Sequence, residues 1–163
     1  MSETQCEIRP VLPSELILVK KINEATLPEN YPMFFYYDIQ RMWGDVFLVA
    51  VCDGLIVGYI MNRVENHFDK GILLWRTVKV GHIVSVAVLP EYRRRGIASA
   101  LISKSIKLMR DNYNVKKVYL EVRTSNSPAI NLYKKLGFRI KDVIPRYYRD
   151  GEDAYLMELE FED

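Results

Sequence analysis

The densest chemistry in the chain lies between Val86 and Ala98, VAVLPEYRRRGIA. An apolar stretch runs into a turn holding Arg93, Arg94, Arg95 and Gly96, and an amphipathic run starts at once with Ile97 and Ala98. A helix that begins there leaves unpaired N–H groups and a partial positive charge facing the turn, which suits an anion. Gly96 allows the backbone to come close to a phosphate because no Cβ intervenes, and the guanidiniums add donors matched to phosphate oxygens. Taken alone, RRRG also reads as a solvated basic turn. Its place between an apolar strand and an amphipathic helix favours the phosphate.

The elements that must position this turn are legible on either side of it. His82 to Leu89 is a near-continuous apolar run, the mark of a central strand covered on both faces, and Pro90 ends it. Beyond Gly96, residues Ala98, Leu101, Ile102, Ser105, Leu108 and Met109 share one helical stripe, with Lys104, Lys107 and Arg110 outside it. Lys117 to Arg123 reads as a strand whose alternation sets Tyr119, Glu121 and Arg123 on one face. Ser127-Pro128 reads as a helix cap and first-turn proline, Ala129, Leu132, Tyr133 and Leu136 as the buried stripe, and Gly137 as the stop.

Upstream, Cys6 to Val11 reads as a first strand, and Pro13 opens a helix marked by Leu16, Val19 and Ile22. LPENYP (27–32) interrupts it with two prolines, and an aromatic helix follows over Phe34 to Trp43. Val46 to Val51 and Leu55 to Arg63 form a hairpin about Asp53-Gly54. Glu65 to Val80 shows no period and reads as an irregular excursion, while Phe138 to Ile144 and Ala154 to Phe161 supply two last strands. The order β-α-α-β-β-β-α-β-α-β-β implies an α/β (α+β) fold: a mixed sheet with helices on both faces.

Composition bounds the rest. A chain of 163 residues, 49% apolar and 27% charged, suits a single domain with a real core. A net charge of +2 argues against a polyanion-wrapping protein, so no nucleic-acid recognition is expected. Cys6 and Cys52 have no paired spacing and read as free thiols of a reducing cytoplasm. MSETQCEIRP lacks a signal-peptide pattern, and no apolar run reaches the roughly 18 residues of a membrane span. The expectation is a soluble, cytoplasmic protein.

Arg93-Arg94-Arg95-Gly96-Ile97-Ala98 resembles the R/Q-x-x-G-x-G/A pyrophosphate loop of the GNAT N-acetyltransferase superfamily. Ser125-Asn126, Ala129, Leu132-Tyr133 and Leu136-Gly137-Phe138 resemble the SNxxAxxLYxxLGF segment of the same superfamily. Together with LPENYP, GHIVSVAVLPEYRRRGIA (81–98), YLEVRTSN (119–126) and YYRDGEDAYLM (147–157), they resemble the archaeal and eukaryotic NatA-type, RimI-like N-terminal acetyltransferases. The resemblance covers nearly the whole chain and implies the GNAT fold, a mostly antiparallel sheet with a splayed central strand pair.

It also implies roles. Acetyl-coenzyme A is the cosubstrate. The backbone of Val86, Ala87 and Val88 would meet its pantetheine arm, the loop Arg93 to Ala98 its pyrophosphate, and Asn126 would hydrogen-bond it. Tyr133 would lie near the sulfur, able to protonate the departing thiolate, although it also reads as a core aromatic. Acyl transfer needs a base for the amine proton. Glu29 and His82 are the candidates, each with a plainer reading as a loop glutamate and a structural histidine. Glu121 would orient His82 if their strands are neighbours. The other histidine, His67, reads as exposed. No catalytic metal is required, since a His82–Glu121 pair is two ligands.

An α-amine is the acceptor easiest to deprotonate, costing about 1 kcal/mol at pH 7 against about 4.6 kcal/mol for lysine. Tyr31, Tyr147 and Tyr148, beside Glu29, are the expected contacts for the first residues of a protein substrate, small ones (Ser, Ala, Thr, Gly) and also Met. Lysine side chains or small amines are the alternative acceptors, and a non-catalytic acetyl-coenzyme A-binding module is the alternative class. Ribosome association and self-association stay open as partners, the latter through Phe34, Phe35, Tyr36 and Tyr37 where they are exposed.

Overall fold

The computed structural model describes residues 5–71 and 73–162. Its elements follow the expected order: β1 (Cys6–Pro10), α1 (Leu16–Thr26), α2 (Met33–Trp43), β2 (Leu48–Cys52), β3 (Leu55–Lys70), β4 (Trp75–Val88), α3 (Ile97–Tyr113), β5 (Lys117–Arg123), α4 (Ser127–Lys135), β6 (Arg139–Ile144) and β7 (Ala154–Glu160). The hydrogen-bonded order is β1-β2-β3-β4-β5-β7-β6. Pairings β1–β2, β2–β3, β5–β7 and β6–β7 are antiparallel and β4–β5 is parallel. Residues 1–63 with 83–112 make one compact unit, and 64–82 with 113–163 a second.

In the first unit, α1 amphipathicity buries Leu16, Val19 and Ile22 against Tyr36 and Ile39 of α2, and against Tyr59 and Met61 of β3. Each such side chain contributes about 1.5–3 kcal/mol on burial. Asn62, the next residue of β3, points the other way: its Nδ2 donates to Ser105 Oγ of α3 at 2.9 Å. Strand alternation therefore puts α1 and α2 on one face and α3 on the other. Gly58 lets β3 and β4 close up, since a Cβ there would stand 3.0 Å from the Ala87 carbonyl oxygen.

In the second unit, β5 alternates as expected, with Val118, Leu120 and Val122 buried and Tyr119, Glu121 and Arg123 half-buried. The β4–β5 register covers Val80↔Lys117, Gly81↔Val118 and His82↔Tyr119, whereas β5 pairs with β7 along its whole length.

Four expectations need correction. Glu65 to Val80 is not irregular: β3 runs on to Lys70 and β4 starts at Trp75, closed by the Gly71 N–H donating to the Leu74 carbonyl at 3.0 Å. Its polar residues Glu65 and His67 meet polar partners, so neither alternation nor an apolar run marks the strand. Cys6 and Cys52 are not free; they form a disulfide. The β1–β2 register sets them directly opposite each other, a juxtaposition invisible in a separation of 46 residues. The cap of α4 is Asn126, not Ser127, its Oδ1 accepting from the Ala129 N–H at 3.3 Å. The buried face of α4 is Ile130 and Tyr133, with Ala129, Leu132 and Leu136 only partly covered.

No helix among the described residues is long and apolar enough to cross a membrane. Of the aromatic run in α2, Tyr36 is wholly buried, while Phe34 and Tyr37 are exposed.

Candidate active site

The turn before α3 has the shape its residues promised. Arg94 (φ +63°) and Gly96 (φ +76°) both take left-handed backbone, so Gly96 is needed by the turn itself. Among the described residues, nothing lies within 4 Å of the place a Gly96 Cβ would occupy, which leaves the approach to the α3 N-terminus open. Two of the arginines bond to nearby backbone: Arg93 Nε donates to the Val88 carbonyl (3.0 Å) and Arg95 Nη2 to the Glu91 carbonyl (3.2 Å). They brace the strand-to-turn junction, and the backbone amides of residues 94–98 are the donors at the helix start.

The LPENYP loop in the same unit is held from beneath by buried neutral groups. Asn23 of α1 is fully buried; its Nδ2 donates to the Glu29 carbonyl and to the Tyr59 hydroxyl, both at 3.0 Å. Its Oδ1 accepts from Asn30 Nδ2 at 2.9 Å, and Tyr59 shares a 2.7 Å hydrogen bond with Ser85 of β4. Burial pushes the Tyr59 phenol up, against the hydrogen bonds from Ser85 and Asn23, so the network stays uncharged. Glu29 is half-buried. Tyr31 stacks on Phe35 with centroids 4.9 Å apart, and its hydroxyl donates to the Val84 carbonyl at 3.4 Å.

The second unit brings His82 and Glu121 together, as expected of neighbouring strands: His82 Nε2 and Glu121 Oε2 are 2.8 Å apart. It adds Glu65 of β3, whose Oε2 lies 3.2 Å from His82 Nδ1. The His82 ring lies flat on Tyr119, centroids 4.3 Å apart and planes within 3°. The Tyr119 hydroxyl donates to Glu65 Oε1 at 2.6 Å. Only 8% of the His82 side chain is exposed, against 16% for Glu121. Two nitrogen-to-carboxylate hydrogen bonds need two protons, and an ionised carboxylate brings none. The trio is therefore satisfied either by an imidazolium or by a neutral imidazole beside one protonated carboxyl.

Tyr133 is buried, edge-on to Phe138, and burial pushes its hydroxyl up to about 12. It stays protonated at neutral pH. The core-aromatic reading is right, and it leaves the hydroxyl a donor. Asn126 spends its Oδ1 on the α4 cap.

Tyr147 and Tyr148 meet edge to face, with Tyr147 half exposed. Their loop is tied to β5 by Arg123, a residue whose role the sequence reading missed. The guanidinium covers the Tyr148 ring at 4.1 Å and donates to Asp150 (2.7 Å) and Glu152 (3.0 Å). The Glu152 N–H and then Arg123 hold the Asp150 carboxyl below its ordinary range; Ser125 and then Arg123 do the same for Glu152. Asn23 and Glu65 were missed as well. Arg123 sits two residues from Glu121 on one strand face, and Asn23 interrupts the apolar stripe of α1, which were the available signals.

Among the described residues, no group of three or more His, Cys, Asp or Glu is arranged to hold a metal ion. His67 is not simply exposed: its Nε2 lies 2.8 Å from Glu65 Oε1.

Comparison with known proteins bears on what this arrangement does. Residues 16–138 match the model of the acetyltransferase (GNAT) family. The chain is 56% identical over 137 residues to an N-alpha-acetyltransferase of Sulfurisphaera tokodaii, covering 84% of this chain and 82% of that protein. It is 37% identical over 157 residues to the N-terminal acetyltransferase A complex catalytic subunit ard1 of Schizosaccharomyces pombe, covering 95% and 85%. Among solved structures, Naa50 of Arabidopsis thaliana in complex with the bisubstrate analogue CoA-Ac-MVNAL superposes with a TM-score of 0.82 at 28% identity, over 96% of this chain and 99% of that one.

Proposed function

We propose, since the chain belongs to the acetyltransferase (GNAT) family, that it transfers the acetyl group of acetyl-coenzyme A to the α-amine at the start of other proteins. A relative named as an N-alpha-acetyltransferase supports this reading at 56% identity. The observation that carries the chemistry is the 2.8 Å pair of His82 and Glu121, half-buried carboxylate on buried imidazole.

Acetyl-coenzyme A supplies the activated thioester. The open turn at Gly96 and the N-terminus of α3, a helix of 17 residues, suit its pyrophosphate. In this reading the amides of 94–98 hold the phosphates, the strand backbone at Val86, Ala87 and Val88 meets the pantetheine arm, and Asn126 adds a hydrogen bond. N–H groups of the same strand receive the negative oxygen that acyl transfer develops.

The amine must be neutral to attack. An α-amine costs about 1 kcal/mol to deprotonate at pH 7 and a lysine about 4.6 kcal/mol, so the first asks far less of a base. Glu29 and the His82–Glu121 pair take the proton as the C–N bond forms. Tyr133 donates a hydrogen bond to the departing thiolate. With its hydroxyl near 12 and a thiol near 8.5, outright transfer from tyrosine would be uphill by about 5 kcal/mol, so solvent completes the protonation.

Tyr31, Tyr147 and Tyr148 grip the first residues of the substrate, with Glu29 at the pocket mouth favouring Ser, Ala, Thr or Gly and also admitting Met. The reaction belongs in the cytoplasm, on or off the ribosome, where emerging chains expose their first amine.

The assay is acetyl transfer to Ser-, Ala- and Met-starting peptides, beside the same peptides blocked at the α-amine. Transfer confined to free α-amines is expected; transfer to lysine alone rejects the reading, and binding without turnover marks a non-catalytic module. Glu29→Gln and His82→Ala are each expected to lower kcat by about 10²-fold without changing acetyl-coenzyme A affinity.

A further inference from the structure

His82 does not end its own hydrogen-bond chain. Glu121 Oε2 meets His82 Nε2 at 2.8 Å, His82 Nδ1 meets Glu65 Oε2 at 3.2 Å, and Glu65 Oε1 meets His67 Nε2 at 2.8 Å. Side-chain exposure rises along it: 8% at His82, 19% at Glu65 and 37% at His67. Glu65 and His67 stand two residues apart on β3, so one strand face presents both. Tyr119 fixes the middle of the chain, its ring against His82 and His67 and its hydroxyl on Glu65.

We infer that Glu65 and His67 form a proton exit, carrying the proton taken from the substrate amine to the surface. The inference rests on the acetyl transfer proposed above. Both His82 nitrogens are engaged by carboxylates, so the ring has no lone pair to offer an amine while Glu121 and Glu65 are in place. His82 is then a link and not the end of the line. The amine proton enters at Glu121 as the proton that Glu121 shares with His82 moves on. That proton passes into His82 at Nε2 as another leaves Nδ1 for Glu65, and Glu65 hands one to the imidazole of His67. His67 releases it to water. Only N–H and O–H bonds form and break; each turnover discharges one proton and leaves His82 with its proton on Nε2, and exchange with solvent water returns it to Nδ1. Glu65 and His67 touch neither substrate, so they are relay and positioning residues.

The test is chemical rescue with Ser-starting peptide at low buffer concentration. His67→Ala is expected to lower kcat about tenfold, with both KM values changed less than twofold, and added imidazole is expected to restore kcat with saturation. Glu65→Gln keeps the side-chain shape but cannot pass a proton, and is expected to lower kcat about 10²-fold without rescue by imidazole. Wild-type kcat in His67→Ala, or a loss that imidazole leaves unchanged, overturns the exit. His67 is a partly exposed strand residue, so its variant folds even if Glu65→Gln does not. A wild-type enzyme inactive on free α-amines overturns the functional reading and the relay with it; an active one with an indifferent His67 overturns the relay alone.

Discussion

The two loops proposed to grip the acceptor are fastened by different kinds of bond. LPENYP rests on neutral, buried groups: Asn23, Tyr59 and Ser85, with the Glu29 carbonyl as the point of attachment. The loop at Tyr147 and Tyr148 is tied by one guanidinium to two carboxylates, the exposed Asp150 and the half-buried Glu152. Buried neutral hydrogen bonds hardly respond to salt or to mild pH change, and losing one partner leaves the other unsatisfied at a cost of about 1–3 kcal/mol. Exposed ion pairs are screened by salt and contribute little to global stability. The LPENYP loop is thus set when the core forms, and the loop at Tyr147 and Tyr148 stays responsive to the solution.

Asn23→Leu should show the largest effect. It strips the Glu29 carbonyl and Asn30 of a partner and should cost about 2–4 kcal/mol in urea unfolding, with peptide KM raised about tenfold. The loss should be equal at 0.05 M and 1 M salt; a loss that shrinks with salt would break the comparison. Arg123→Ala comes next. Peptide KM should rise about threefold at low salt with little change in the urea midpoint, and 1 M salt, where the screening length is about 3 Å, should bring the wild type to the same KM. The smallest effect is that of acid. The folded-state pKa values of Asp150 and Glu152 lie below their ordinary values. Their contribution is complete above the unfolded range near 4 and is lost as pH falls through the depressed values. Limited proteolysis of the 145–153 loop should therefore increase only below about pH 4, and Asp150→Asn with Glu152→Gln should remove that dependence. Faster cleavage already at pH 6 would mean that something other than these carboxylates holds the loop.

The same division explains what the sequence could reveal. Periodicity marks elements that face one environment along their length, so α3, β5 and the strand–turn–helix at Arg93–Ala98 were plain. Alternation also put Glu121 and Arg123 on one face, but it could not say that Arg123 reaches Tyr148, Asp150 and Glu152, because that depends on where the 145–153 loop returns. The outer half of β3 was lost for a related reason. Glu65 meets His82 and Tyr119, and His67 meets Glu65, so the strand carries polar residues on a face that is not simply solvent. Asn23 looked like noise in an apolar stripe and is the anchor of the LPENYP loop. The cysteines failed differently: β1 and β2 are neighbours in the sheet but lie far apart along the chain, and spacing carries no trace of that.

The Cys6–Cys52 bond closes a covalent ring around α1, LPENYP and α2. Chain-entropy reasoning gives a closure of this length about 4 kcal/mol of stabilisation, drawn from the unfolded chain. It also changes what a cut means. A protease that nicks the backbone anywhere between residues 6 and 52 leaves the two pieces tethered, so Glu29 and Tyr31 stay on the molecule, and a nicked preparation would run as one band until a thiol is added.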